Sequence, residues 1–402
     1  MNHHLKMALA LIATALAGSA IVLATLVGST KIALSADKAA LGGNCCGDLE
    51  ERIAELESTV ARKGNRKVSV TISGQINKAV LYWDGFGASN TVVTENAAAE
   101  SYVAFSMVAR INPDLKAGGL IEIGVGGYDG ALFNGVGYGP LLGGDTNDLY
   151  TRQAYVFVES GKLGRAAVGK QRQATDGIAE ITTANTDAAV RMLSVRPLIG
   201  PQLGEVADLF DGNRGDLVRY DTPTWQGFVA SASWGTADLV SNGAVWDAAL
   251  RYYGEYQQFR VAAGIGYRQG VIVPTIGAAE EVKVWSGSAS VMHMPTGGFI
   301  TGAYGHFEGE GVLAGLPEMN GWQGQGGLEE RWSSLGKTTL FAEFGELEIE
   351  GVSSNFRLYG LGVVQAIDGS AMDIYASWRQ YDLDAGADSA LNLYMLGARI
   401  RF

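Results

Sequence analysis

The feature that most constrains this chain is a period-two alternation of apolar and polar residues, which runs from residue 67 to the C-terminus with one long interruption. In residues 67–77, Val and Ile occupy one parity while Ser, Thr, Gln and Asn occupy the other. Successive side chains of a strand point to opposite faces, so the pattern predicts strands with one apolar and one polar face. We predict such strands at residues 67–77, 102–111, 117–127, 149–159, 164–170, 214–222, 225–235, 245–254, 258–268, 282–293, 298–307, 322–332, 337–347, 355–366, 371–381 and 389–402.

The connections between these strands alternate in length. Residues 113–116 and 161–163 are tight turns, whereas 129–148 and 309–321 are long loops. A soluble β-sandwich also alternates apolar and polar residues, but short turns on one rim and long loops on the other are typical of a membrane barrel. The predicted fold class is therefore all-β: an antiparallel transmembrane β-barrel of about 16 strands, preceded by a short N-terminal coiled-coil helix.

Aromatic residues cluster near the ends of the predicted strands. In membrane barrels such rings form girdles at the two bilayer interfaces, which predicts contact with membrane lipid. The opposite face of each strand is polar, which predicts an aqueous interior. We assign to the girdles Tyr82, Trp83, Tyr128, Tyr150, Trp225, Trp234, Trp246, Trp285, Trp332 and Trp378.

The N-terminus indicates secretion. Lys6 precedes an apolar run over residues 7–28, and small residues follow at 33–36. This is the pattern of a signal peptide, which we place at residues 1–36. The run is also long enough to span a bilayer, so an uncleaved anchor is the alternative.

Residues 37–65 form a predicted periplasmic stub between the signal peptide and a barrel domain at residues 66–402. Within the stub, Leu49, Ile53, Leu56 and Val60 occupy the a and d positions of two heptads, which predicts a coiled-coil helix at 47–62. Two heptads are marginal alone. A trimer axis would provide neighbouring helices; the alternative is a lone amphipathic helix against the barrel or in its mouth.

The two cysteines, Cys45 and Cys46, lie in this stub. An intermolecular disulfide and two exposed thiols are both compatible with an oxidising periplasm. A lipid anchor is less favoured because Asn44, and not a small residue, precedes Cys45.

Composition and residue types exclude several functions. The formal net charge is −12 and no basic stripe is present, which argues against nucleic acid as a partner. The mature chain has only His293 and His306, without a nucleophile-elbow pattern, so we predict no catalytic residue and no enzyme. The spacing of His and Cys supports no metal, and we predict no cofactor. Calcium on the carboxylates of the longest loop is an open alternative.

Several stretches resemble general bacterial porins. Residues 70–77, 151–156 and 213–223 are similar to porin strands, and the stub followed by ARKGN resembles porins of alphaproteobacteria. The last strand is similar to the sorting signal that the barrel-insertion machinery binds, with Tyr394, Ile400 and Phe402 as its residues. The resemblance implies a homotrimer in the outer membrane of a Gram-negative bacterium and passive diffusion of small hydrophilic solutes and ions.

In such porins the third external loop folds inward and narrows the pore. The matching segment is residues 171–213, which interrupts the alternation. In the family, acidic loop residues face basic wall residues across the constriction. The acidic candidates are Asp176, Glu180, Asp187, Glu205, Asp208 and Asp211.

Strand parity selects the basic wall. If Val218 and Tyr220 face lipid, Arg219 and Asp221 enter the lumen; a charge on the lipid face would cost about 2–4 kcal/mol at mid-depth. Some of these residues could instead pair with acids on adjacent strands, and we expect about four of the seven near the constriction. The sign of ion selectivity stays open. The candidates are Arg110, Arg152, Arg219, Arg251, Arg260, Arg268 and Arg379.

Two other functions remain open. A substrate-specific channel would line its path with a continuous aromatic or basic track, for which Tyr253, Tyr359, Tyr375 and Tyr381 are scattered candidates. A structural barrel would tether the outer membrane to the cell wall through the stub.

Overall fold

The computed structural model describes residues 67–85, 87–96, 98–124, 149–193, 210–237, 244–272, 280–310, 318–351, 355–383 and 390–402. Seventeen β-strands, numbered in chain order, account for most of these residues. They are β1 (Ser69–Gly85), β2 (Ala88–Glu95), β3 (Tyr102–Arg110), β4 (Leu115–Gly124), β5 (Tyr150–Ser160), β6 (Gly164–Arg172), β7 (Arg214–Asp221), β8 (Phe228–Ala237), β9 (Ala244–Tyr256), β10 (Phe259–Ile272), β11 (Glu280–His293), β12 (Gly298–Glu310), β13 (Met319–Ser333), β14 (Gly336–Ile349), β15 (Phe356–Ile367), β16 (Met372–Leu383) and β17 (Ala390–Arg401).

The strands form one closed antiparallel sheet. From β3 onward each strand pairs with the next, and β17 then pairs with β1, from Gln75 opposite Arg401 to Gly85 opposite Leu391. β1 pairs with β3 through its first half and with β2 through its second half. Because β2 and β3 share one position in the wall, the seventeen strands make a barrel of sixteen. The predicted all-β barrel is confirmed.

The break between β2 and β3 inserts extra residues into the wall. Lys78 of β1 is opposite Glu95, and Gln75 is opposite Tyr102. Two residues of β1 therefore span the same stretch of wall as six residues of the partner strand, 96–101. The four additional residues must leave the plane of the sheet at this point.

The two rims differ as predicted. One rim carries short turns, such as residues 111–114 between β3 and β4 and 161–163 between β5 and β6. The other rim carries longer connections, such as those between β4 and β5 and between β6 and β7, together with the two-residue turn between β1 and β2. Two predicted bounds were wrong: β1 extends to Gly85 instead of ending at 77, and β8 begins at Phe228 because Trp225 and Phe228 form a turn bridge.

A belt of aromatic side chains lies on the outer face of the barrel between β9 and β15. In β11, Ser288 binds the segment inside the barrel, so Trp285, of opposite parity, faces outward and is 51% exposed. Rings on neighbouring strands continue the belt, as interfacial girdles do. The ring centroids are 5.3 Å apart for Trp246 and Tyr267, 4.4 Å for Tyr267 and Trp285, 5.3 Å for Trp322 and Phe344, and 5.1 Å for Phe344 and Tyr359.

Two girdle assignments were wrong. Trp83 is on the inner face and packs with Leu358, Tyr381 and Leu391. Tyr150 also turns inward, where its hydroxyl donates to Glu100 at 3.3 Å. Tyr128 lies outside the described residues.

The last residue of the chain takes part in barrel closure. The backbone N of Gly74 donates to the carbonyl of Phe402 at 2.9 Å, and the N of Phe402 donates back at 3.1 Å. A Cβ on Gly74 would lie 2.8 Å from the Phe402 ring, so the ring packs over bare backbone. Ile400 is exposed on the same outer face, whereas Tyr394 is buried beside Trp378 and Tyr82.

The predicted signal peptide at 1–36 and the stub at 37–65, with its helix and its cysteines, lie outside the described residues. Across the part of the chain that the structure describes, no helix is long and apolar enough to cross a membrane.

Candidate pore constriction

The segment between β6 and β7 folds into the barrel, and we call its described parts, residues 173–193 and 210–213, the inner loop. It first follows the wall. Thr175 donates through its backbone N and its Oγ1 to Asp247 of β9, at 2.6 and 2.7 Å. The backbone N of Ile181 then donates to Ser288 of β11 at 3.0 Å. Carboxylate and hydroxyl groups of the wall thus fix the path of the loop.

The inner loop reaches the far side of the lumen. Arg399 of β17 donates to Asp187 at 3.1 Å and to Asp373 of β16 at 2.9 Å. Asn96, at the break after β2, donates through Nδ2 to the carbonyl of Ala188 at 2.9 Å. Because the loop is bonded from β9 round to β17 and the β2–β3 break, it occupies a large part of the cross-section.

The returning part of the loop is held by close packing. The Phe210 ring lies against Gly305 of β12 and Gly321 of β13, where a Cβ would overlap it. The Asp211 carboxylate accepts hydrogen bonds from the backbone N of Gly177 at 2.8 Å and of Ile178 at 3.0 Å. Glycines in the inner wall therefore make room for the loop.

Two apolar clusters lie between the inner loop and the wall of β11–β16. The first includes Phe210 with Phe307 and Met319, and the second includes Ala188 with Phe341. A polar lumen face was predicted for every strand, and this part of the wall departs from it. The physical reason is that the loop covers these positions, so they form a small protein core and do not contact water.

The basic candidates fall into three groups, of which the first binds the inner loop. The guanidinium groups of four residues donate to backbone carbonyls at 2.7–2.9 Å. The donors and their acceptors are Arg219 to Gln173, Arg251 to Asp176, Arg268 to Asp211, and Arg379 to Arg191. Arg379 also pairs with Glu343 at 2.6 Å, fully buried behind the loop. These arginines position the loop.

Arg152 forms the second group and sits between two carboxylates. Its Nε donates to Glu122 at 2.7 Å, and its Nη1 donates to Glu100 at 2.7 Å. A register shift between β4 and β5 at Glu122 lets Arg152 and Gln153, consecutive in sequence, both bind that carboxylate. Simple parity could not have placed both side chains inward.

The third group, Arg110 and Arg260, is at the short-turn rim. Arg110 is the last residue of β3 and is exposed, and Arg260 pairs with Glu255 at 2.9 Å beside the β9–β10 turn. The inner loop leaves β6 and enters β7 at the opposite rim. Arg110 and Arg260 therefore lie at the mouth of the lumen, away from the inner loop.

The acidic candidates also separate. Asp176 lies 3.6 Å from Arg172, and Glu180 pairs with Arg191 within the loop. Asp187 is bound by Arg399 and its side chain is 60% exposed. The Asp211 carboxylate accepts hydrogen bonds from backbone N–H groups of the inner loop, so it stabilises the fold of the loop itself. Glu205 and Asp208 lie outside the described residues.

Sequence reasoning missed several charged residues at the site. Arg399 has the parity opposite to Ile400, so the alternation in β17 could have identified it. Glu100 and Arg214 lie 4.0 Å apart, and neither has such a signal in the sequence. Glu100 lies in the β2–β3 break, and Arg214, the first residue of β7, has the parity of the outward-facing Val218 and Tyr220. Among the described residues, no group of three or more His, Cys, Asp or Glu could hold a metal ion.

This geometry defines a class of protein: a sixteen-stranded membrane barrel whose lumen is narrowed by an inward-folded loop. The chain belongs to the Gram-negative porin family, whose profile matches residues 8–399. It is an outer-membrane barrel that forms a diffusion channel. No curated protein matches it in sequence.

Solved structures share the fold at low identity. An anion-selective porin from Comamonas acidovorans is 16% identical, with 83% of this chain and 100% of that chain covered and a TM-score of 0.59. A loop L8 deletion mutant of OmpT from Vibrio cholerae is 16% identical, with 84% and 100% covered and a TM-score of 0.58. The trimer form of in-vitro folded OmpT is 16% identical, with 83% and 99% covered and a TM-score of 0.58.

Proposed function

We propose that small hydrophilic solutes and ions pass by diffusion through a gap between the inner loop and the wall of β3–β7, and that residues 171–213 set its size. The observation that carries this proposal is the chain of hydrogen bonds from Asp247 to Asn96, which holds the loop across the lumen. At this level Arg152 and Glu122 form a buried ion pair within the wall, and Glu100 of the β2–β3 break, with 20% of its side chain exposed, binds Arg152 from the lumen side.

The mechanism is passive. A hydrated solute enters the aqueous lumen, the loop limits its size, and the fixed charges of the wall bias ions of one sign. Differential binding of a transition state is not required. We therefore propose a channel and not an enzyme. His293 contacts Thr296 and Gln258, and His306 contacts Asn320 and Glu318; among the described residues neither contacts a serine or a cysteine.

The assembly is also part of the proposal. A trimer form is described for one structural neighbour, and a helix of two heptads at 47–62 needs neighbouring helices, which a trimer axis would provide. We propose an alphaproteobacterial type of porin, a signal peptide at 1–36, contact of the aromatic belt with lipid, and recognition of Tyr394, Ile400 and Phe402 by the insertion machinery.

The test is single-channel conductance of the purified trimer in planar lipid bilayers. Deletion of residues 178–188, which cross the lumen from β11 to β17, should raise the conductance, because the shortened loop no longer fills the lumen. A deletion of equal length within 129–148, another long connection on the same rim, is the matched control. A wild-type protein without conductance would contradict the proposal.

One observation favours a substrate-specific channel as the second candidate. Arg165 lies 4.2 Å above the Phe157 ring and donates to the Tyr155 hydroxyl at 2.9 Å, all on the inner face of β5 and β6. The predicted track is not continuous, since Tyr359 faces outward and Tyr375 is buried behind the loop. Saturation of ion current by one solute class would favour this candidate; loss of envelope anchoring on deletion of 47–62 would favour a tether.

A further inference from the structure

The break between β2 and β3 folds into the lumen and contributes a charged group to it. Gln75 and Asn77 on the inner face of β1 hold this segment: Gln75 donates to the carbonyl of Glu100 at 2.9 Å, and Asn77 donates to the carbonyl of Ala99 at 2.9 Å. The Ser101 hydroxyl accepts a hydrogen bond from the backbone N of Asn77 at 2.8 Å. The described residues of 96–101 therefore form a second layer on the inner wall.

The same segment is bonded to the tip of the inner loop. Asn96 is 4% exposed, and its Nδ2 donates to the carbonyl of Ala188 at 2.9 Å and to the hydroxyl of Tyr375 at 2.8 Å. Tyr375 in turn donates to Asn77 at 2.6 Å. The break and the inner loop therefore contact each other above β1 and β16. At this level both segments narrow the lumen.

The Glu100 carboxylate points from the break toward the wall of β5–β7. Its Oε2 accepts from Arg152 at 2.7 Å and from Tyr150 at 3.3 Å, and it lies 4.0 Å from Arg214. Arg152 has a second carboxylate, Glu122, whereas in the part of the chain that the structure describes Glu100 is the acid that lies 4.0 Å from Arg214. The side chains of Glu100 and Arg214 are each 20% exposed, and Glu100 binds Arg152 on the inner face of the barrel, so its exposed part lies on the lumen side.

We propose that the described residues 96 and 98–101 form a second constriction element and that Glu100 is a specificity-determining residue, which sets the ion preference by offsetting the charges of Arg152 and Arg214. This inference rests on the proposed diffusion channel. A fixed unit charge about 8 Å from a passing ion in a water-like medium changes its energy by about 0.5 kcal/mol, or about twofold in population. Its loss should therefore be measurable as a change in permeability ratio.

The experiment compares wild type with Glu100→Gln in planar bilayers under a potassium chloride gradient, with the reversal potential giving the chloride-to-potassium permeability ratio. Removal of this carboxylate should raise that ratio by about twofold. The matched control is Glu159→Gln, which removes the same charge from the inner face of β5 at the short-turn rim, where Glu159 lies 3.4 Å from Lys116. The control should change the ratio less.

One further variant and a folding assay keep the result interpretable. Glu100→Asp retains the charge and should keep the wild-type ratio, and unchanged heat-modifiable migration shows that each variant folds. An unchanged ratio in a folded, conducting Glu100→Gln channel would overturn this inference and leave the diffusion function intact. A wild type that does not conduct would instead overturn the proposed function.

Discussion

At the residue scale, the site depends on where bare backbone and buried charge occur in the wall. The Phe210 ring occupies the space that a side chain at Gly305 would fill. Gly302 is on the outer face of the same strand, and no heavy atom would lie within 4 Å of a Cβ at that position. Arg379 is buried with Glu343 behind the loop. The same residue types therefore have different importance on the two faces of one barrel.

Gly305→Val should displace Phe210 and loosen the inner loop, because a Cβ at this position overlaps the ring. Overpacking of this kind costs about 1–3 kcal/mol. We expect larger fluctuations of single-channel current, measured as open-channel noise. Gly302→Val is the control and should keep wild-type noise; equal effects in both variants would contradict the packing argument.

Arg379→Met should destabilise the barrel, because it leaves the Glu343 carboxylate buried without its partner. Breaking such a pair costs about 3–5 kcal/mol. Denaturant unfolding in detergent micelles measures the change. The double variant Arg379→Met/Glu343→Met removes both charges and should recover much of the loss. If the double variant is as unstable as the single one, the ion pair is not the cause.

At the element scale, we expect the pairing of β1 with β17, which closes the barrel, to be the pairing most sensitive to substitution. β1 is shared by three strands, β17, β2 and β3, and its Gly74 accommodates the terminal Phe402 ring. A closed barrel leaves no strand edge unpaired in the membrane. A local defect here therefore affects assembly and not only local packing.

Gly74→Val should impair closure, because its Cβ would meet the Tyr102 carbonyl and lie 2.8 Å from the Phe402 ring. We expect a smaller heat-modifiable, folded fraction on gels after outer-membrane extraction. Gly369→Val, where nothing lies within 4 Å of the Cβ, is the control. Normal assembly of the Gly74 variant would show that the ring has room to move.

At the scale of the whole molecule, the lumen is asymmetric. The wall of β11–β16 is covered by the inner loop and two apolar clusters, whereas the wall of β3–β7 carries arginines with carboxylates beside them. The apolar clusters lie behind the loop, so they do not face the proposed passage. On the opposite side the partly exposed charged side chains include Glu100, Arg219 and Asp221.

The ion preference of the channel should weaken with salt. Screening shortens the reach of a fixed charge from about 10 Å at 0.1 M ionic strength to about 3 Å at 1 M. Reversal potentials at constant gradient ratio should therefore give a permeability ratio that approaches the bulk value at high salt. A ratio independent of salt would indicate selection by size or by direct binding.

Both the fold and part of the site follow from the sequence. Alternation in stretches such as 67–77 and 389–402 identified the barrel, because a strand that separates lipid from water must place apolar and polar residues on opposite faces. The interruption at 171–213 predicted a loop that folds inward, and its described parts bind wall residues such as Asp247 and Ser288. The same parity predicted that Arg219 and Arg251 point inward, and both donate to carbonyls of the inner loop.

Only the tertiary structure decided the rest. Periodicity is a local property, so it could not show that 96–101 folds inward, that Gln153 and Arg152 both face Glu122, or that Trp83 belongs to the inner face. Each depends on contacts between residues distant in sequence, and one residue of register shift reverses a face assignment. The sequence by itself determined a membrane barrel with an inner loop; the pairing of charges inside it was decided by which distant segments the closed barrel brings together.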